Sequence, residues 1–110
     1  MAYSDVLFEV KNQIAWLTIN RPDRGNSFRR QTVLEMYQAL SEARLDPKVR
    51  VVVITGAGNR FFCIGGEKEK NDGQLHYHNV PPVVDLYQLI DMLPVPVVAT
   101  TLALTVLGAA

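Results

Sequence analysis

The sequence predicts a mixed α/β domain, and three observations carry that prediction. Runs rich in β-branched and aromatic residues alternate with stretches whose apolar residues recur at helical spacing. One of the apolar runs has no polar alternation, the mark of a strand covered on both faces. Finally, 110 residues with 48% hydrophobic and 20% charged side chains make an ordinary globular composition, enough for one domain.

Each element follows from local chemistry. Val6–Val10 and Ile14–Ile19 read as two strands, and the short polar Lys11-Asn12-Gln13 makes them a hairpin over 6–19. Breakers in Asn20-Arg-Pro-Asp-Arg-Gly25 end the second strand. Asn26 and Ser27 are good N-cap types, and Val33, Met36, Tyr37, Leu40 and Ala43 share one helical face. A helix is therefore expected over about 29–45, stopped by Asp46-Pro47, since the residue before proline avoids the α region. Val51–Thr55 supplies the doubly covered strand, expected over 50–55. A glycine-rich loop spans 56–73. Pro81-Pro82 open a second helix over about 82–93, with Val83, Leu86, Tyr87 and Ile90 on one face. A last buried strand is expected over 95–101, with Pro96 near its start, where a missing N–H is tolerated.

The loop after the third strand, Thr55-Gly-Ala-Gly-Asn-Arg-Phe-Phe-Cys-Ile-Gly-Gly-Glu-Lys68, is the most informative segment. Gly56-Ala57-Gly58 begins a dinucleotide-binding pattern, but Phe61 stands at its third glycine and no helix follows at once. Gly65-Gly66 leaves two readings open. Without a β-carbon, the backbone there can approach a ligand closely and aim an N–H at a developing oxyanion. Equally, the two glycines can serve only to permit positive φ in a turn.

Taken together, Leu17–Phe28, Thr32–Met36, Ala39-Leu40, Ile54–Gly58 and Phe61–Gly66 strongly resemble the crotonase (enoyl-CoA hydratase/isomerase) superfamily. The resemblance runs from about Val6 to Ala99. In pattern it is closest to the 1,4-dihydroxy-2-naphthoyl-CoA synthases, with the ketocyclohexanecarboxyl-CoA hydrolases as the neighbouring branch. It implies the first half of a crotonase-like ββα spiral and acyl-CoA chemistry through a thioester enolate held in a backbone oxyanion hole. No cofactor is implied beyond the coenzyme A of the substrate.

The resemblance also implies roles. The Gly66 N–H would be one oxyanion donor, and Gly108 lines up with the second. Ile64, Gly65, Glu67 and Lys68 match the segment that contacts coenzyme A, and Ser27 matches the edge of the adenine site. Arg24 would offer a phosphate contact, as could Lys68 or Lys70; the bland reading of these cations is solvated loop charge. Several positions depart from the family pattern. Glu67 and Lys68 replace its Asp and Gln, Gly25 replaces an Arg of the naphthoyl branch, and Ala103 and Leu107 replace glycines beside Gly108. The family's catalytic carboxylates lie C-terminal to that turn, so an N-terminal part of the fold is expected, either as an enzyme component or as a remnant that binds without turnover. The family's trimers and hexamers imply a homo-oligomer.

Other features are bland. Basic and acidic side chains number 11 each with no dense cationic run, which excludes the usual nucleic-acid footprint. The lone Cys63 excludes an internal disulfide and is expected to be a packing residue; Met1–Asp5 lacks signal-peptide character, so a cytoplasmic protein is expected. His76 and His78 lack a third metal ligand, and Glu67, Glu69 and Asp72 read as solvated loop acids. The uncharged stretch 92–110 reads as a buried strand and apolar turn rather than a membrane span, because Pro94 and Pro96 interrupt it.

Overall fold

A computed structural model describes residues 3–58, 62–63, 65–66 and 83–100, with residues 83 and 84 described through their backbone alone. The element order is β1 (Val6–Lys11), β2 (Ile14–Ile19), α1 (Arg30–Leu45), β3 (Val51–Gly56), α2 (Val83–Met92) and β4 (Val97–Thr100). The four strands form one sheet in the order β1-β2-β3-β4. β1 and β2 are antiparallel, whereas β3 and β4 run parallel to β2, so the chain crosses over through α1 and again before β4. Of the loop expected over 56–73, residues 56–58, 62–63 and 65–66 are described; the rest lies outside the described residues.

The hairpin turn is tighter than its composition alone required. Only Asn12 and Gln13 lie between the strands, at φ 54° and 69°. Positive φ at both positions is the two-residue turn whose twist matches paired strands. The Gln13 carbonyl then accepts the Arg50 N–H at 2.8 Å, fixing the approach to β3.

The start of α1 corrects the sequence reading. Its N-cap is Arg29, not Asn26 or Ser27, and the Arg29 N–H donates to the Thr32 hydroxyl at 3.1 Å. Asn26 is instead a left-handed turn residue at φ 56°. The buried stripe of α1 is Thr32, Val33, Glu35, Met36, Ala39, Leu40 and Ala43, while Tyr37 is exposed. On α2, Leu86 and Leu89 are buried and Tyr87 is half exposed, so that stripe too is rotated away from the expected tyrosine. Tyrosine tolerates a half-wet position because its ring is apolar and its hydroxyl polar.

The core lies between one sheet face and the two helices. Val6, Ala15, Leu17, Ile19, Val52 and Ile54 present that face to Val33, Met36, Leu40, Leu86 and Leu89. Alternation puts Trp16 and Val53 on the opposite face, where register carries the row on to Val98. Phe8 packs against the core, and Trp16 is buried outside it. β3 is covered on both faces as expected, but β4 is not: Val98 and Ala99 are exposed. Among the described residues β4 pairs with β3 alone, so nothing described packs over its outer side. Its ladder opens with the Pro96 carbonyl, which accepts the Val52 N–H at 3.0 Å.

Candidate functional site

Parallel strands β2 and β3 deliver their following loops to the same sheet edge. Ligand sites of α/β sheets form beyond the carboxyl ends of strands, where such loops meet. Here the two loops are tied together at both ends. Near the strands, the Asn26 side-chain amide donates to the Ala57 carbonyl at 2.9 Å while its oxygen accepts the Arg21 N–H at 2.9 Å. Farther out, the Phe28 N–H donates to the Gly65 carbonyl at 3.0 Å, and Phe28 and Gly66 form a parallel bridge.

The two glycines of the bridge segment differ. Gly65 sits at φ +120°, a region that side-chain-bearing residues rarely adopt, so turn geometry accounts for it. Gly66 is not among the residues with positive φ. Turn geometry therefore does not require a glycine there. Among the described residues, moreover, no acceptor takes the Gly66 N–H. An unpaired backbone donor is what an oxyanion needs, and the missing β-carbon at glycine permits a close approach to it.

An apolar cavity of about 240 Å³ lies next to this segment. Phe28 lines it from the first loop, Phe62 and Cys63 from the second, Met36 from α1, and Leu86 and Ile90 from α2. Among the described residues that line it none is charged, and Tyr87 brings a hydroxyl-bearing ring. Cys63 is a partly buried wall residue packed against the core, its sulfur 3.9 Å from the Gly65 carbonyl. Phe28 thus touches both the cavity and the bridge to Gly66.

A charged network beneath the first loop escaped the sequence reading. The Arg29 guanidinium donates from Nε and Nη2 to the two Asp5 oxygens at 2.9 Å each, and the Thr32 hydroxyl donates to Asp5 at 2.6 Å. Arg29 chiefly holds the Asp5 carboxyl down to about 2, against the opposing effect of burial. Arg21 lies 4.0 Å from Asp5 and donates through Nη1 to the Ser27 carbonyl at 2.6 Å, bracing the turn. Glu35, 5% exposed, accepts the N–H groups of Asp5 and Val6 at 2.7 and 3.2 Å. It also takes the Ser4 N–H, the Ser4 hydroxyl and the Gln31 amide. Burial works to raise the Glu35 pKa, but these bonds outweigh it and hold it below the ordinary value. A charged residue on the apolar stripe of α1 was the available signal.

Of the expected site residues, the structure brings Gly65 and Gly66 against the loop that carries Arg24 and Ser27. Arg24 is exposed; Ser27 is buried, its N–H donating to the Arg24 carbonyl at 3.1 Å. Ile64, Glu67, Lys68, Lys70 and Gly108 lie outside the described residues, as do Glu69, Asp72, His76, His78, Ala103 and Leu107. Among the described residues no helix is long and apolar enough to cross a membrane.

Sequence comparison decides the family. The enoyl-CoA hydratase/isomerase family matches residues 9–105. The chain belongs to that family. Solved structures agree. An enoyl-CoA hydratase from Mycobacterium avium subsp. paratuberculosis K-10 is 30% identical with a TM-score of 0.75, over 90% of this chain and 36% of that one. An enoyl-CoA hydratase/isomerase from Xanthobacter autotrophicus Py2 is 27% identical with a TM-score of 0.73, over 91% of this chain and 39% of that one. This member of the enoyl-CoA hydratase/isomerase family thus spans well under half the length of the relatives it matches.

Proposed function

We propose that this chain supplies an acyl-CoA site of an enoyl-CoA hydratase/isomerase-type enzyme, in which the Gly66 N–H donates to the thioester oxygen. The observation that supports it most directly is Gly66 itself. Its φ does not call for glycine, its N–H meets no acceptor among the described residues, and its bridge partner Phe28 lines an apolar cavity. Negative charge developing on the thioester oxygen would be stabilised by that fixed donor, with no reorganisation needed when the enolate forms. Gly108 is the proposed second donor. Arg24, Ser27, Ile64, Gly65, Glu67 and Lys68 are the proposed coenzyme A contacts, in a cytoplasmic homo-oligomer. Likeness to the dihydroxynaphthoyl-CoA synthases and ketocyclohexanecarboxyl-CoA hydrolases adds ring closure and its hydrolytic reverse to hydration and isomerisation as candidate reactions.

Calorimetric titration with acetoacetyl-CoA, against free coenzyme A, tests the site. Tighter binding of the thioester is expected, and a folded Gly66→Pro variant, which lacks the N–H, should lose that preference. Equal affinity for the two ligands would sink the assignment.

A second reading is a domain that binds coenzyme A or a longer relative without turnover. It is favoured by Ala103 and Leu107, which stand at family glycines. Binding without turnover of crotonyl-CoA would select it.

A further inference from the structure

We infer that the end of the sheet opposite the candidate site docks on an anionic lipid surface. The inference is independent of the acyl-CoA reading.

Topology gathers the residues. Strands β2, β3 and β4 are parallel, and each helix returns the chain to the start of the next strand. The end of β1, the last turns of α1 and α2 and the starts of β3 and β4 therefore share one end of the sheet. Across it, β1 and β4 are three strand spacings apart, roughly 15 Å.

Two properties meet at this end. The first is exposed apolar chain. Leu45, the last residue of α1, and Met92, the last of α2, are 77% and 64% exposed, more than any other large apolar side chain described. Exposed apolar residues scattered singly are ordinary, but these two share one end.

The second property is charge. The connections here carry Lys11, Lys48 and Arg50, all exposed, against one carboxylate, Asp46. Asp46 accepts the Lys48 N–H at 2.8 Å, and no ion pair among the described residues holds the three cations. Further back on the helices Arg44 offsets Asp91, and Glu42 accepts the Tyr3 hydroxyl at 2.6 Å. The connections thus keep an excess of two positive charges, on a chain whose formal charge is zero.

An anionic lipid surface answers both properties at once. Its headgroups attract the cations, each worth about fivefold in affinity close to such a surface. Leu45 and Met92 enter the boundary between headgroups and acyl chains, which is fluid and accepts them at whatever spacing the fold sets. A folded acidic partner would need two pockets at matching positions. Contact of this kind stays on the surface and needs no membrane-spanning helix.

The test is co-sedimentation of the 110-residue chain with phosphatidylcholine vesicles containing either no phosphatidylserine or about 30% of it, at about 0.05 M and about 0.5 M salt. Binding is expected to the phosphatidylserine vesicles at low salt. It should weaken at least about tenfold without phosphatidylserine or at high salt. Lys48→Glu combined with Arg50→Glu should weaken it at least about tenfold, and Leu45→Ser combined with Met92→Ser at least about threefold. All four positions are exposed, so both variants should melt like the natural chain. Absence of binding, equal binding to the two kinds of vesicle, or no effect of reversing the two cations overturns the inference. So does a dimer in solution that the serine variant abolishes, because a second copy would then cover Leu45 and Met92.

Discussion

Arg29 grips Asp5 through two N–H···O bonds of 2.9 Å each, joining the residue before α1 to the residue before β1. Paired donors of this kind fix direction as well as distance. The loop from Arg21 to Phe28, which leads to the candidate oxyanion segment, is therefore anchored at the N-terminal edge of the sheet as well as at Ala57 and Gly65.

The pairing predicts acid sensitivity. The Asp5 pKa is lowered from 3.8 to about 2, so the folded state binds its proton later than the unfolded chain does. Stability from this group is fully present above about pH 4 and lost as pH falls towards about 2, a contribution of about 2 kcal/mol. Glu35, also lowered, adds in the same direction. Urea midpoints measured across that window should fall for the natural chain and fall less steeply for Asp5→Asn. Parallel pH curves for the two proteins would contradict the role given to Asp5.

Glu35 carries a larger structural consequence. Its removal strands the Asp5 and Val6 N–H groups in a site that is almost dry. Glu35→Ala should lose about 2–4 kcal/mol, since buried donors left unpaired bear their full desolvation penalty. Chemical denaturation measures this, and hydrogen exchange should show β1 losing protection first.

Asn26 uses both ends of its amide and a left-handed backbone at once. Asn26→Asp keeps the acceptor for Arg21 but turns an oxygen towards the Ala57 carbonyl. A loss of about 1–3 kcal/mol is expected. Asn26→Gly relieves the backbone and loses both bonds, so it should fall in the same range. A thermal melt of either variant that matches the natural chain would show that the two loops are held by other means.

The glycine pair should separate under substitution. Gly65→Ala forces a β-carbon onto φ +120° and should cost about 1–3 kcal/mol in stability. Gly66→Ala meets no such strain, so it should fold normally and instead weaken thioester binding. Denaturation and titration on the same two variants provide the check. A Gly66→Ala chain that binds thioester unchanged would remove the reason given for glycine at that position.

Much of this architecture was legible in sequence because period and punctuation are local. Asp46-Pro47 ends α1 and the unbroken Val51–Ile54 run forms a doubly covered strand, each for a reason visible within a few residues. What escaped depends on distant partners. Asn26 has the composition of a helix cap, yet its carbonyl neighbour is Ala57, 31 positions away. Glu35 sits on an apolar stripe, and only the return of residues 4–6 makes that position favourable. Gly65 and Gly66 look alike in sequence, and only the backbone angles tell them apart. β4 read as buried because its residues are apolar, whereas burial depends on what packs over each face, and among the described residues β4 pairs with β3 alone.

The two ties between the loops, Asn26 to Ala57 and Phe28 to Gly65, also set the unit in which this region can change. Three of the four partners are backbone groups, so a shift in the path of either loop alone pulls both ties apart, while among side chains only Asn26 is needed. Swaps that carry both segments together should be tolerated where single-loop swaps are not. The shape of this edge of the sheet is inherited as a pair.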